Sequence, residues 1–435
     1  MPTDLQAPVP QQSSVAASAP NAGGSKWLAA ILLVLIFCPL WHIHIFNRRI
    51  PPTYSDLVQR WVGARAALAG KDPYSTEVLR DILAAEYDHY PPRPHDQGVA
   101  RQGFLYPAHI VLLLAPIAHF SWEAARTVFL ATSLALLLLS VLMYLRTFHP
   151  SITRTQITII TVLAIINWPV VWGARFQQPT LLVAALIFLA CVCLRRNWPI
   201  LAAILLAIAT VKPQIAAPII AWLILWSLFH RAWRFFAAFA ITLSLLLLET
   251  ERIVPGWFGN WRASLQGYRQ VTDTDLPLQN FLGHWAGLIL TLFLVAAGIF
   301  ALWRSRKSDI SSSNWSVSLS LVLALTVVLI PTHFTLVYNH ILLFPACVTL
   351  ILASPADPYS KFARQIALAL LGTMFALPVI SVSIETLWKP YPVVDGLPFL
   401  TNSILPPAVA LAVLCQMLRK GTLVPSVRRA EGDFA

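Results

Sequence analysis

The residues able to do chemistry are easy to pick out in this sequence, because charged residues make up only 11% of its 435 positions. Lys212 stands in the run Ala-Thr-Val-Lys212-Pro213-Gln214-Ile, away from any basic cluster. An ammonium in so apolar a setting is costly. Unless it snorkels to an interface, its natural role is to contact an anion. Asp56 precedes Arg60 by four residues, the spacing of an ordinary ion pair on a helix surface, and Arg65 follows. Arg175 lies beside Trp172 and just before Gln177 and Gln178; an interfacial anchor and an anion contact are both open to it. His333, Tyr338 and His340 flank the entry to an apolar run, where interfacial histidines are common. The other acids near them are Glu249, Glu251, Asp273 and Asp275. Asp273 and Asp275 have no further ligands nearby of the kind a metal needs. One carboxylate able to take a proton and several cations able to hold an anion are thus the available chemistry.

The elements that must position these groups are membrane helices. The chain is 57% hydrophobic with a mean hydropathy of +0.67, which excludes a soluble globule. At roughly 20 residues per crossing, that is material for about twelve spans. Thirty-one basic residues against 19 acidic give a net charge of +12. We attribute it to basic cytoplasmic loops rather than to nucleic acid, which is not an expected partner. The cysteines, Cys38, Cys191, Cys193, Cys347 and Cys415, all lie in apolar runs and suggest neither disulfides nor zinc.

Residues 1–25, rich in Pro, Ser, Ala and Gln, are expected to be a disordered cytoplasmic tail. The first span covers about 26–46 and lacks a small-residue cleavage site after it. A long polar stretch, about 47–105, opens the first extracytoplasmic loop, 47–121. Within it Leu57, Trp61, Ala64 and Leu68 recur at helical spacing, with Asp56, Arg60 and Arg65 off that stripe, which predicts an amphipathic helix on the membrane surface. Further spans are expected at 122–145, 155–173, 180–194, 198–211, 213–229, 233–249, 284–303, 314–331, 336–353, 363–384 and 398–417. The short run 107–120 is taken as re-entrant or surface-lying. This count puts the basic loops at 146–154, 195–196, 230–234, 304–307 and 361–364, and the basic tail 418–435, on the cytoplasmic side. The first loop, a second large loop at 250–283, Lys212 and the 333–340 region then share the outer face. The transmembrane domain as a whole runs over 26–417. The Lys-Pro break at 212–213 frees backbone groups that lipid does not tolerate, so it must face protein or a wet cavity.

Four stretches, in order, carry a resemblance. The segment from Asp56 through Trp61, Ala64, Arg65, Leu68, Gly70, Asp72, Pro73 and Tyr74 resembles the first-loop signature of glycosyltransferase family 87. Phe104-Leu-Tyr106-Pro107 is similar to that family's Tyr-Pro-Pro helix start, with Ala108 in place of the second proline. Gln178-Pro-Thr180-Leu-Leu resembles its Gly-Gln-x-Asn-Leu-Leu turn, with Gln177 for the glycine and Thr180 for the asparagine. Lys212-Pro213-Gln214 matches its Lys-Pro-Gln motif.

The resemblance implies an all-α, polytopic GT-C-like fold and a polyprenyl-phosphate-sugar-dependent hexosyltransferase, in particular a mannosyltransferase, of the bacterial inner membrane. Its acceptor is a lipid or glycan, and its active site faces the extracytoplasmic side. It also implies that Asp56 is the catalytic base. A sugar hydroxyl is a poor nucleophile until a carboxylate takes its proton, and the leaving phosphate is already a stable anion that needs only positive charge. Lys212, Arg65 and Arg175 are the candidates for that charge, and Gln178, Gln214, His333, Tyr338 and His340 are candidate substrate contacts. No cofactor is expected, with a divalent cation left open. The rival reading is a lipid or solute transporter, or flippase, without transferase activity, which would share the broken helix and Lys212. It predicts polar residues through the bilayer midplane instead of gathered at one face.

Overall fold

The computed structural model describes residues 55–87, 103–271, 275–331, 336–352 and 393–422, with Phe37 and isolated positions between 361 and 372. The expected tail 1–25, the first span 26–46 apart from Phe37, His333, Asp273 and most of the expected span 363–384 lie outside these residues. Among the described residues the secondary structure is helical, without strands.

The polar first loop contributes α1 (Asp56–Leu68) and α2 (Thr76–Tyr87). Next come α3 (Ile110–Ala118), α4 (Trp122–Phe148), α5 (Arg154–Ile166), α6 (Trp168–Arg175) and α7 (Pro179–Arg195). They are followed by α8 (Pro199–Ala209), α9 (Pro213–Phe229), α10 (Trp233–Ile253), α11 (Trp257–Val271) and α12 (Pro277–Leu282). The chain continues with α13 (His284–Arg304), α14 (Ser313–Val328), a 3-10 segment (Leu336–Leu343), α15 (Phe344–Ile351) and α16 (Val393–Thr422).

Helix α7 is buried from Pro179 to Leu194 and α14 from Trp315 to Val328, so both, apolar nearly all round, form the centre of the bundle. Helices α4 and α8 pack along α7, and α10 packs on α8; α9, α15 and α16 pack on α14. Helices α10 and α13, by contrast, leave long apolar faces open, including Ile241, Leu245 and Leu248 on the first and Trp285, Ile289 and Phe293 on the second. By length and composition α4, α10 and α13 can each cross a membrane, and α5 with α6 makes a fourth if that bent pair is one span. Others, such as α7, α9 and α14, are apolar but only 16 or 17 residues long.

The single span expected over 155–173 is two helices, bent by 44°. Asn167 is the cause. Its Oδ1 accepts from Val170 N at 3.0 Å, capping α6, and Pro169 fits the first turn of α6 but could not donate within a continuous helix. The amphipathic stripe expected on α1 also differs. The buried face comprises Leu57, Val58, Arg60, Gly63, Ala64, Ala66 and Ala67, while Leu68 is exposed. Protein covers this buried face, with α2 and α3 packed on the helix. Gly63 is part of the reason. A Cβ there would lie 2.2 Å from Cδ2 of the buried Phe104 ring. Gly63→Ala is therefore expected to cost about 1–3 kcal/mol through overpacking, read as a lower thermal midpoint of the purified protein; an unchanged midpoint would mean that Phe104 can step aside.

Contacts gather the loops into two groups. Arg195 Nη1 donates to Ile310 O at 2.7 Å and its Nη2 to Ser311 O at 2.8 Å, while Arg196 Nε donates to Thr147 Oγ1 at 3.3 Å and Trp226 Nε1 to Ser308 O at 3.4 Å. These bonds join the basic loops. At the other group, Asn260 Nδ2 of α11 donates to Asp72 Oδ2 at 3.0 Å and Trp261 Nε1 to Leu105 O at 3.0 Å. They join the first large loop to the second.

Candidate functional site

Asp56 is placed by its backbone. Ser55 caps α1 by accepting from Leu57 N at 3.1 Å, and its own hydroxyl donates to Phe176 O at 3.4 Å. Asp56 N donates to the same carbonyl at 3.1 Å. The start of α1 is thereby fixed to the turn between α6 and α7, which lies 121 residues beyond Ser55. That turn is made by Gln177, whose φ of 47° lies in the left-handed region that favours glycine. Its side chain offsets the strain by donating to Ala174 O at 3.1 Å and Arg175 O at 2.7 Å. Gln177→Gly should fold normally, whereas Gln177→Val should cost about 1–3 kcal/mol, as measured by thermal unfolding; equal midpoints for the two variants would contradict the strain argument. Gly173 brings α6 against the 3-10 segment, since a Cβ there would lie 3.2 Å from Tyr338 Cβ.

Lys212 is placed by the break between α8 and α9. It is the residue before Pro213, the start of α9, and only 4% of its surface is exposed. Its Nζ donates to Gln178 Oε1 at 3.3 Å and to Thr180 Oγ1, and it stands 4.8 Å from the centroid of the Tyr338 ring. Thr180 in turn donates to Asn339 Oδ1 at 3.3 Å. Every one of these partners is neutral, so the lysine's charge is solvated by dipoles and a π face but not cancelled. The carboxylate within electrostatic reach is Asp56.

Arg60 completes the group. Its Nη1 lies 3.9 Å from Asp56 Oδ1, too long for a hydrogen bond. The guanidinium carbon sits 3.9 Å from the Tyr106 ring centroid. Although buried, Arg60 Nε and Nη1 have no hydrogen-bond partner among the described residues. Donors left free on a buried guanidinium can each meet an oxyanion oxygen. Tyr106 is held by its own carbonyl, which accepts from Tyr74 Oη at 2.7 Å. Asp56 keeps 34% of its side-chain surface open, enough to meet a substrate. Burial raises its pKa above the ordinary aspartate value, against the opposing pull of Arg60 and Lys212.

Of the residues singled out in the sequence, the structure brings Asp56, Gln178, Lys212 and Tyr338 into one cluster. Arg65 is not among them. It is exposed and lies over the Trp61 ring at 4.7 Å, on the flank where Trp61 meets Trp122. Arg175, buried at the end of α6, lies 5.5 Å from the Phe176 ring, close to the Asp56 anchor. Gln214 is exposed on the first turn of α9. His340 is buried on the 3-10 segment, and its Nδ1 lacks a hydrogen-bond partner among the described residues. The other acids are engaged elsewhere: Glu249 accepts from Arg252 Nε at 3.1 Å, Glu251 from Gly256 N at 2.7 Å, and Asp275 pairs with His284 at 3.3 Å. No group of three metal-ligating side chains occurs among the described residues.

Arg60, Tyr106, Thr180 and Asn339 are members of the cluster that sequence reasoning did not select. Arg60 was within reach. Positions 57, 60, 64 and 67 fit helical spacing as well as 57, 61, 64 and 68 do, but a buried arginine is an unusual member of a packed face. Asn339 lies in the 333–340 region expected on the outer face, but nothing in the sequence ties it to Thr180, 159 residues away.

A half-buried carboxylate among buried cations makes a site that can accept a proton and hold an anion at the same time. The family model of glycosyltransferase family 87 matches residues 104–332, just over half of the chain. The match includes Tyr106, Arg175, Gln178, Thr180 and Lys212; Asp56, Arg60, Tyr338 and Asn339 lie outside its limits. No curated protein and no solved structure matches the chain.

Proposed function

Since the chain belongs to glycosyltransferase family 87, and so is a glycosyltransferase of the membrane, we propose that it moves a hexosyl group, in particular mannosyl, from a polyprenyl-phosphate-linked donor to a lipid or glycan acceptor, with Asp56 as the base. The observation that carries this reading is the buried Lys212, whose charge is left unspent by neutral partners beside an accessible carboxylate.

The charges account for the reaction on both sides. Before transfer, Asp56, Arg60 and Lys212 sum to one positive charge, which a phosphodiester donor, a monoanion, neutralises. In the step itself the acceptor hydroxyl gives its proton to Asp56 as its oxygen bonds to the anomeric carbon. The bond from that carbon to the phosphate oxygen breaks, and its electron pair stays on the phosphate. Asp56 is then neutral and the site carries two positive charges, matching the monoester dianion that leaves. Charge develops on the phosphate where Arg60 and Lys212 already stand, the arrangement that stabilises a transition state more than a ground state. A polyprenyl tail in the bilayer explains why a transferase is built from apolar helices.

We place this site on the extracytoplasmic face of a bundle of about twelve spans, with both ends of the chain cytoplasmic. The contacts that join 195–196 to Thr147 and to 310–311 are distinct from the Asp72–Asn260 contact between the two expected outer loops, and that grouping supports this orientation. Cysteine labelling is expected to find positions 72 and 265 outside and positions 232 and 305 inside. If 72 and 232 were labelled from the same side, the orientation would fall.

The activity is tested by offering purified, reconstituted protein a panel of radiolabelled polyprenyl-phosphate sugars and nucleotide sugars. Label should reach the acceptor from the polyprenyl-phosphate mannose and not from any nucleotide sugar; transfer from a nucleotide sugar instead would overturn the donor assignment.

A further inference from the structure

The hydrogen bonds behind Lys212 have a fixed direction. An ammonium can only donate, so Thr180 Oγ1 accepts from Lys212 and must spend its single hydrogen on another acceptor. That acceptor is Asn339 Oδ1, 3.3 Å away. The facing atom of the Asn339 amide is therefore its oxygen, and the amide nitrogen points away. Three elements contribute one residue each to this chain: the α8–α9 break gives Lys212, the first turn of α7 gives Thr180, and the 3-10 segment gives Asn339. All three are buried, Thr180 completely.

The arrangement addresses a difficulty inherent in lysine. Its charge rides on a flexible four-carbon stem, so a lysine that must meet an anion at a set place needs to be held. Gln178 and Thr180 take two of the three ammonium hydrogens and Tyr338 covers a side, leaving one hydrogen for a ligand. Gln178 also reaches the Tyr338 hydroxyl, which fixes its amide. Thr180, by contrast, depends on Asn339. Without that carbonyl its hydrogen is left without an acceptor at a buried position, and the hydroxyl rotates away from the orientation that offers its lone pair to Lys212.

Resting on the donor class proposed above, we propose that Asn339 is a positioning residue that acts through Thr180 to hold the Lys212 ammonium at the phosphate of the donor and of the leaving group. It touches neither substrate nor reacting atoms.

The test is binding of geranyl phosphate, a short isoprenyl phosphate, to the full-length protein in detergent, followed by calorimetry. Asn339→Leu and Thr180→Val should each weaken binding about tenfold, and Thr180→Ser, which keeps the hydroxyl, should stay within about twofold of wild type. In a Lys212→Met background, adding Asn339→Leu should change binding no further, since there is then no ammonium to position. A merely structural Asn339 would give the same loss in both backgrounds, and that result, or wild-type binding by Asn339→Leu, overturns the inference. If Asn339→Leu does not fold, the contrast between Thr180→Val and Thr180→Ser decides alone: equal affinities overturn it. Failure of the wild type itself to bind geranyl phosphate would instead overturn the donor class, and this inference with it.

Discussion

Asp56→Asn is expected to lower turnover by a factor on the order of 10²–10⁴ while donor binding survives. The amide keeps the size of the carboxylate and its place at the first turn of α1, where the backbone bond from residue 56 to Phe176 O is unaffected. What it loses is the basicity needed to take the acceptor's proton. It also removes the one negative charge that opposes Arg60 and Lys212. The product, a polyprenyl phosphate dianion, should therefore bind the variant at least as tightly as it binds the wild type. A rate that collapses while phosphate affinity holds or rises separates loss of a base from loss of the fold. The pH profile provides a further check. Because burial raises the pKa of Asp56, the acid limb of kcat/KM should lie above about 3.9, the value of an ordinary aspartate. Activity falls as pH drops through that limb, since protonation disables the base. A simple surface ion pair with Arg60 predicts almost no change in rate, and it fits poorly with an arginine buried at 3.9 Å from its supposed partner.

Lys212→Met should fold, because methionine fills most of the lysine stem's volume among apolar neighbours and leaves no buried charge. Donor and phosphate binding should weaken by about 1.5–3 kcal/mol, roughly 10- to 150-fold, the scale of a hydrogen bond to a charged group. The loss should be greater for a phosphate monoester than for a diester, since the cation removed is the one that meets the second charge. Titration of wild type and variant with geranyl phosphate measures it. Unchanged affinity would leave Lys212 as an interfacial anchor and the anion site with Arg60 alone.

How far the sequence could be read follows from how local each signal is. The Lys212-Pro213 break was visible because proline cannot continue a helix and because nothing else near it is charged. The limits of α4, α7 and α13 follow apolar runs bounded by serine, proline or arginine, and fall within a few residues of those expected. The α5–α6 bend escaped because Asn167, Trp168 and Pro169 sit inside a run whose average hydropathy resembles a single crossing. The choice between Arg60 and Arg65 turned on which stripe of α1 is buried. That depends on Phe104 lying against Gly63, and no spacing within α1 reveals it. Thr180 looked like a departure from a pattern, yet it is the residue to which Lys212 donates. Its partner Asn339 comes from a distant segment, and only the folded chain brings them together.

The proposed reaction breaks the bond between sugar and phosphate, and that cleavage can be followed directly. Reconstituted protein is given radiolabelled polyprenyl-phosphate mannose in vesicles that contain acceptor lipid, and the lipid extract is resolved into intact donor, free polyprenyl phosphate and glycosylated acceptor. A transferase produces free polyprenyl phosphate and labelled acceptor in equal amounts, and Asp56→Asn produces neither beyond background. Donor that crosses the vesicle membrane or stays in place with its sugar-phosphate bond intact, in the wild type as in the variant, would contradict the account and leave transport as the activity of the bundle.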